Sequence, residues 1–563
     1  MISVSGKNWE ETKINKRILD KIKIENNFSE IEAKIIVSRN FDHEEIYSIN
    51  NQLKISNPFY NVDDFSKCFQ TLNNVMFNKG KILIIGDYDV DGSVATALMI
   101  KFLKNLNYPF DFYIPDRVKD GYGASLKLIK NLVKSKPNLI IMLDCGSNSN
   151  DSVDYLNDSK IDTIIIDHHD IYQPYPNTEN LINPKKKCTY NLFNYLCSTT
   201  LTYFFIDFCF KKKKITNNFS TNLIYVLLAT VCDVMPLRKL NRTIAIDVLN
   251  NFDINKNNIF KQIYKISNKK NLLNINDLGF LFGPILNSTG RISNSSKATK
   301  LLITNNEEEQ NKLIDELILL NQKRKNIEDK IINDIDLNKI NKNENEVIVL
   351  NLNNINEGLI GIIAARIKEY FNKPTIIFTK TGNISKGSAR STDNFNIGKY
   401  IKLAIDKKII LSGGGHSLAA GVTIENDKIN IFSKFINSQY NLIYKTYNLK
   451  QFISKISLSS VNLNFFNSIN KLAPFGSGNH NPLFLIENLK VFKTSIIKNK
   501  YINCVLKSLN GKSINSISFN LFDSRISEIL LNYKKEIKII GQINQNLWNN
   551  KKTLQINIVD VII

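Results

Sequence analysis

Acidic side chains are in short supply in this sequence: 52 Asp and Glu stand against 74 Lys and Arg, a formal charge of +22 over 563 residues. Such a balance favours a polyanionic partner, nucleic acid first, with a compositional bias toward Lys, Asn and Ile as the plainer alternative. Cysteine is sparse and unpatterned. Cys68, Cys145, Cys188, Cys197, Cys209, Cys232 and Cys504 form no C-x-x-C pair, and several sit in apolar runs such as Phe208-Cys209-Phe210, so they read as reduced, buried, small apolar residues. Met1 to Arg17 is broken by Lys7, Glu10, Glu11 and Lys13 and lacks the apolar core of a signal peptide. No apolar run reaches the roughly 18 residues of a membrane span. The nearest candidate, Leu223 to Val231, stops at Asp233. No membrane association and a cytoplasmic location are the expectations that follow.

A chain this long exceeds one hydrophobic core and predicts about three or four domains. Three short apolar runs recur early, residues 81–86, 138–143 and 162–166, and each runs into an aspartate: Asp87, Asp144 and Asp167. Continuous Ile/Leu runs separated by helix-length segments are the pattern of a parallel sheet buried on both faces. Ligands of such sheets bind at the carboxyl ends of the strands, so the three aspartates are expected to converge. Residues 188–304 read as mainly helical. Thr304 with Glu307 predicts a capping-box start to a long amphipathic helix running toward Ile335. A strand, helix, strand pattern over 347–352, 360–370 and 375–379 opens a second α/β domain, and short alternating segments after about 450 predict an all-β module. The expected division is an N-terminal extension (1–75), a catalytic domain (76–304), a connecting helix (305–344), a substrate-binding α/β domain (345–449) and an OB-like nucleic-acid-binding module (450–563).

Gly86-Asp87-Tyr88-Asp89-Val90-Asp91-Gly92 places three carboxylates on alternate residues just past a strand, where their repulsion calls for cations; read alone, a solvated acidic loop explains it equally well. Leu143-Asp144-Cys145-Gly146 adds a fourth carboxylate. Asp167-His168-His169 adds a fifth and two of the chain's five imidazoles, and Asp233 follows the apolar stretch 223–231. A lone strand-end Asp is usually a cap and a lone His usually a surface residue. Their recurrence on successive predicted strand ends favours a site.

In order and content, Asp87 to Gly92, Leu143 to Gly146, Asp167 to His169 and Thr230 to Leu237 resemble the four motifs of the DHH phosphoesterase superfamily. Ile114 to Arg117 with Gly121-Tyr122-Gly123, Leu286 to Arg291, Ser388 to Ser391, Ser412 to His416 and Pro474 to Asn479 resemble elements of its longer nuclease members. The resemblance implies an α/β protein with a parallel-sheet DHH catalytic domain, a long connecting helix, a DHH-associated domain and a C-terminal OB-like β module. It also implies a hydrolase that releases mononucleotides from the 5′ end of single-stranded DNA, in DNA repair and recombination, with two divalent cations, Mn²⁺ or Mg²⁺, as cofactors. Asp144 would bridge the metals, with Asp89 on one side and Asp91, His168 and Asp233 on the other; Asp87 stands where some relatives carry His. His169 would be a phosphate contact or proton donor. Arg117, Arg291, Ser388, Arg390, Gly414, Gly415 and His416 would bind substrate, and Phe475 would offer a stacking surface in the C-terminal module. A single-strand-binding protein or a helicase would be a partner, and the protein would be a monomer. Glu357 before Gly358, Cys232 beside Asp233 and the polar run Leu196 to Thr202 depart from the family pattern. The alternatives are a DHH enzyme for short oligoribonucleotides or cyclic dinucleotides, and a catalytically inactive nucleic-acid scaffold on the same fold.

Overall fold

A computed structural model describes the chain except for residues 117–119, 121–122, 271, 293–294, 337–339, 341–344, 354, 442–448, 498–500, 520–523 and 549–550. Its first sheet has five parallel strands in the order Phe110–Tyr113, Ile82–Ile85, Leu139–Leu143, Asp162–Ile166 and Leu181–Ile182. The continuous apolar runs have a direct cause. Ile82, Ile84, Ile141 and Ile164 face a large core made with helices Asp63–Phe77, Val90–Asn105, Ser198–Lys212 and Leu223–Cys232. Leu83, Ile85, Ile140 and Ile165 face a second core containing Ile129, Val153 and Leu156. Successive residues of a strand point to opposite faces, so a sheet covered on both sides needs apolar residues throughout.

The connecting helix spans Glu307–Asp334. Its cap is Asn306, whose side chain accepts from Glu309 N at 3.0 Å, rather than Thr304, which donates instead to the Glu309 carboxylate at 2.6 Å. The helix packs on the catalytic lobe and, through Glu328 and Asp329, pairs with Arg366 of helix Glu357–Phe371 in the second lobe. That lobe carries a mixed five-stranded sheet ordered Ser412–Gly415, Ala419–Glu425, Ile384–Arg390, Thr375–Thr381, Ile348–Asn351, with only the last pair parallel.

At the C-terminus, strands Phe484–Ile497, Tyr501–Ser508, Ser513–Ser518, Lys551–Ile562 and Ile537–Trp548 close into a barrel, the last pairing back to the first. The first fifty residues are built into this module. Strand Asn8–Glu11 runs parallel to Leu449–Phe452, and Trp9 Nε1 donates to buried Asp560 at 2.9 Å. Phe28, Ile35, Ile36 and Phe41 share the core of the barrel, whereas Phe59, Phe65 and Leu72 belong to the catalytic core. The segment expected as an N-terminal extension thus serves two cores.

Arg238 and Arg242 join the modules, and Arg39 braces the C-terminal side of the joint. Arg238 forks onto Glu45 at 2.5 and 2.6 Å, Arg242 donates to the Leu472 carbonyl at 2.9 Å, and Arg39 donates to Asn479 and the His480 carbonyl. Leu237 N donates to Ser477 O at 2.8 Å, so the Pro474–Asn479 loop is a docking element against the segment after Asp233. Phe475 is half-buried there, beneath Arg39, and is a packing residue rather than the stacking surface expected of it. Because Trp9 stitches the N-terminal strand into the C-terminal module, Trp9→Ala is expected to cost about 3–5 kcal/mol. Urea unfolding followed by circular dichroism would measure this, and a truncation at residue 450 should leave an aggregation-prone N-terminus.

Candidate metal centre

The acidic residues of the three strand ends meet at the carboxyl edge of the parallel sheet. Asp89 caps helix Val90–Asn105, accepting from Gly92 N at 3.0 Å, which turns the chain so that Asp87, Asp89 and Asp91 flank one corner. Gly92 is required here: a Cβ would lie 2.5 Å from Asp87 N. Asp144 leaves its strand at φ +61°, and Val234, next to Asp233, holds φ +57°. A left-handed backbone is costly for any residue with a Cβ, most of all a β-branched one, and such strain clusters at functional sites.

Ligand-capable atoms fall into three overlapping groups, each within 4.8 Å: Asp87, Asp89 and Asp144; Asp144, His168 and His169; Asp91, His168 and Asp233. Asp144 is common to the first two and His168 to the last two. His168 Nε2 lies 3.3 Å from Asp233, 3.5 Å from Asp144 and 3.7 Å from Asp91. Both its ring nitrogens are buried and make no hydrogen bond among the described residues, and Asp233 Oδ2 is in the same condition. A buried imidazole in that state, ringed by carboxylates, is a donor set suited to a divalent cation.

The electrostatics agree. Burial, then the neighbouring carboxylates, pushes Asp144 well above the usual carboxylate range, and Asp91 and Asp233 shift the same way for the same reasons. Burial and the charge on His169 push His168 down to about 3, leaving it neutral as a metal ligand must be. Asp167 behaves differently. Burial would raise it, but the His169 imidazole 2.8 Å away, with N–H donors from Ser147, His168 and His169, holds it well below the ordinary range. Burial opposes protonation of His169, yet the same Asp167 contact lifts it to about 9. Asp167 is therefore the orienting anion of His169.

Residues outside the recognised motifs hold this cluster together. The backbone N–H groups of Ser198 and Thr199, at the start of helix Ser198–Lys212, donate to the two oxygens of Asp91 at 2.9 Å, and Ser198 Oγ donates to Asp144 at 2.9 Å. A helix N-terminus is a natural support for a carboxylate. The hydroxyl-rich run Ser198-Thr199-Thr200, ahead of an apolar segment, was the available signal.

Across the cleft, Arg390 donates to Ser388 Oγ and the Ala389 carbonyl, and Arg291 donates to Gly358 O at 3.1 Å, joining the two lobes. Gly414 pairs with Gly421, which pairs with Ser388, and at both glycines a Cβ would meet nothing within 4 Å. This is an open backbone floor. Gly415, at φ +153°, turns the chain toward His416, whose Nδ1 lies 2.8 Å from Asp170 of the catalytic lobe. Arg117, Gly121 and Tyr122 lie outside the described residues.

Family models match in the same order. The DHH family N-terminal domain covers residues 81–231, the DHHA1 domain 344–441 and the RecJ OB domain 454–560. The chain belongs to the RecJ family. Relatives named single-stranded-DNA-specific exonuclease RecJ include that of Bacillus subtilis, 26% identical over 94% of this chain and 68% of its own length. The RecJ of Escherichia coli is 27% identical over 90% of this chain and 91% of its own. The crystal structure of Thermus thermophilus RecJ in complex with Mn²⁺ shares the fold, with a TM-score of 0.83 at 19% identity over 99% of this chain and 79% of that one. Residues from all four DHH-like motifs of the sequence meet at the centre just described.

Removing one carboxylate should relieve repulsion in the metal-free protein. Asp144→Asn is expected to melt at or above the wild-type temperature without metal, and to lose the rise in melting temperature that Mn²⁺ gives the wild type by linkage. Differential scanning fluorimetry with and without Mn²⁺ checks both.

Proposed function

We propose that this protein is a single-stranded-DNA-specific exonuclease that releases mononucleotides in the 5′-to-3′ direction by phosphodiester hydrolysis with two divalent cations, Mn²⁺ or Mg²⁺. The observation that carries the reading is the convergence of Asp87, Asp89, Asp91, Asp144, His168 and Asp233 around a buried imidazole without a hydrogen bond among the described residues. These six would hold the cations. Bound there, two divalent cations supply an activated water and neutralise charge on the attacking and leaving oxygens.

The chain's own side chains do the rest. His169 keeps a proton at neutral pH, held to Asp167, and serves as phosphate contact and proton donor. Arg390, Ser388, His416 and the N–H groups along Gly413 to Gly415 would grip the phosphates over the open glycine floor. Arg291, where the lobes meet, would take a terminal phosphate together with Arg117. The lobes meet at Arg291–Gly358 and at His416–Asp170, and a passage bounded by these contacts would admit one strand and exclude a duplex.

In the barrel, Phe492 is 71% exposed at a β-bulge, with the Lys507 ammonium 5.5 Å from its ring and exposed Lys490 and Lys493 beside it. An aromatic face set among lysines suits a single strand, and Phe492 takes the role first expected of Phe475. No helix among the described residues is long and apolar enough to cross a membrane. A cytoplasmic monomer supplied with strand by a helicase or a single-strand-binding protein completes the proposal.

End-labelled single strands should shorten from the 5′ end in Mn²⁺ or Mg²⁺, with a blunt duplex untouched. Asp144→Ala should lose several orders of magnitude in rate while remaining folded; 3′ shortening or equal attack on the duplex would overturn the assignment. Replacing Lys490, Lys493 and Lys507 together with Ala should flatten the slope of log K against log salt by about 2, near 0.7 for each lost contact to a single strand.

A further inference from the structure

Beside the metal centre an ammonium group and an imidazole, one from each lobe, end on one carboxylate that no motif includes. Lys185 Nζ lies 3.0 Å from Asp170 Oδ1, and His416 Nδ1 lies 2.8 Å from Asp170 Oδ2. All three residues start from fixed backbone. Asn183, fully buried, donates to Ser147 Oγ at 2.7 Å and to the His169 carbonyl at 2.9 Å, and accepts from Lys185 N at 2.8 Å. The Asp170 carbonyl accepts from Asn148 at 2.6 Å. His416 N donates to Ala419 O, and His416 O accepts from Gly398 N. Asp170 lies two residues beyond His168, so the pair stands beside the metal ligands.

Backbone so well fixed contrasts with side chains left open to water. Lys185, Asp170 and His416 are 27%, 41% and 55% exposed. Ion pairs this exposed are weak and exchange readily. The two non-bridging oxygens of a phosphodiester present the same fork as a carboxylate, and they arrive on a polyanion.

We propose that Asp170 is an internal stand-in for a substrate phosphate: it keeps Lys185 and His416 aimed at one point beside the metal centre, and a phosphodiester of the single strand displaces it. Lys185 is thereby a phosphate-binding residue. The inference rests on the functional reading above and adds to it an anion that competes with the substrate and sets a threshold against weak, small anions.

Binding of a fluorescent 5′-phosphorylated single strand, followed by anisotropy in EDTA at fixed salt, tests this without turnover. Asp170→Asn should tighten binding about three- to tenfold, the worth of two exposed ion pairs. Lys185→Ala should weaken it, and adding Asp170→Asn to Lys185→Ala/His416→Ala should yield no gain, the mark of coupling rather than of general charge. Glu179→Gln removes a charge paired to Lys67 at the opposite end of the strands and should change Kd less than about twofold. Unchanged melting temperatures confirm that each variant is folded. An unchanged or weaker Kd for Asp170→Asn, or a gain that survives in the Lys185→Ala/His416→Ala background, overturns the proposal. Wild-type protein that binds no single strand would overturn the functional reading itself, a result distinct from either.

Discussion

Like charges packed into a dry corner are the constraint from which the rest of this architecture follows. Asp91 and Asp144 are each about 1% exposed, and Asp87, Asp89 and Asp233 crowd the same space. Left alone, such a group would take up protons or open the fold. The structure meets this with a parallel sheet that fixes where three strands end, and with a helix N-terminus that directs two N–H groups at Asp91. Two left-handed residues aim Asp144 and Asp233 inward. Each is unfavourable or neutral by itself and becomes reasonable once a divalent cation completes the cluster. Asp167 shows the contrasting solution, a buried carboxylate satisfied by protein donors and committed to one imidazole.

The second lobe gains its meaning from its distance to this cluster. The connecting helix joins the lobes through Arg366, and Arg291 and His416 make further contacts between them. The barrel is anchored to the segment that follows Asp233 through the Ser477 carbonyl, Arg238 and Arg242. The barrel is therefore in direct contact with the segment that follows Asp233.

Much of this could be read from the residues in order. Strand-end aspartates, the helical stretch and the alternating C-terminal segments carry their own periodicity, and motif spacing places Asp144 and His168 correctly in the same corner. What could not be read depends on the folded geometry. Thr304 and Asn306 are both good caps, and only the turn geometry selects Asn306. Ser198 and Thr199 look like ordinary helix-start hydroxyls until the fold brings Asp91 to them. Phe475 reads as an available aromatic, but Arg39, more than four hundred residues earlier, lies over its ring. Lys185 and Asp170 carry no motif, and only the approach of His416 from the other lobe marks them.

The stitching of Trp9 to Asp560 spans 551 residues of chain. During synthesis at about 5–20 residues per second, roughly half a minute to two minutes separates the emergence of the two partners from the ribosome. Over that interval Phe28, Ile35, Ile36 and Phe41 have no core to enter, while the catalytic lobe between them can already fold. Strand Lys551–Ile562 thus secures a strand synthesised some five hundred residues earlier, and until it emerges residues 28–41 must wait with their apolar side chains uncovered.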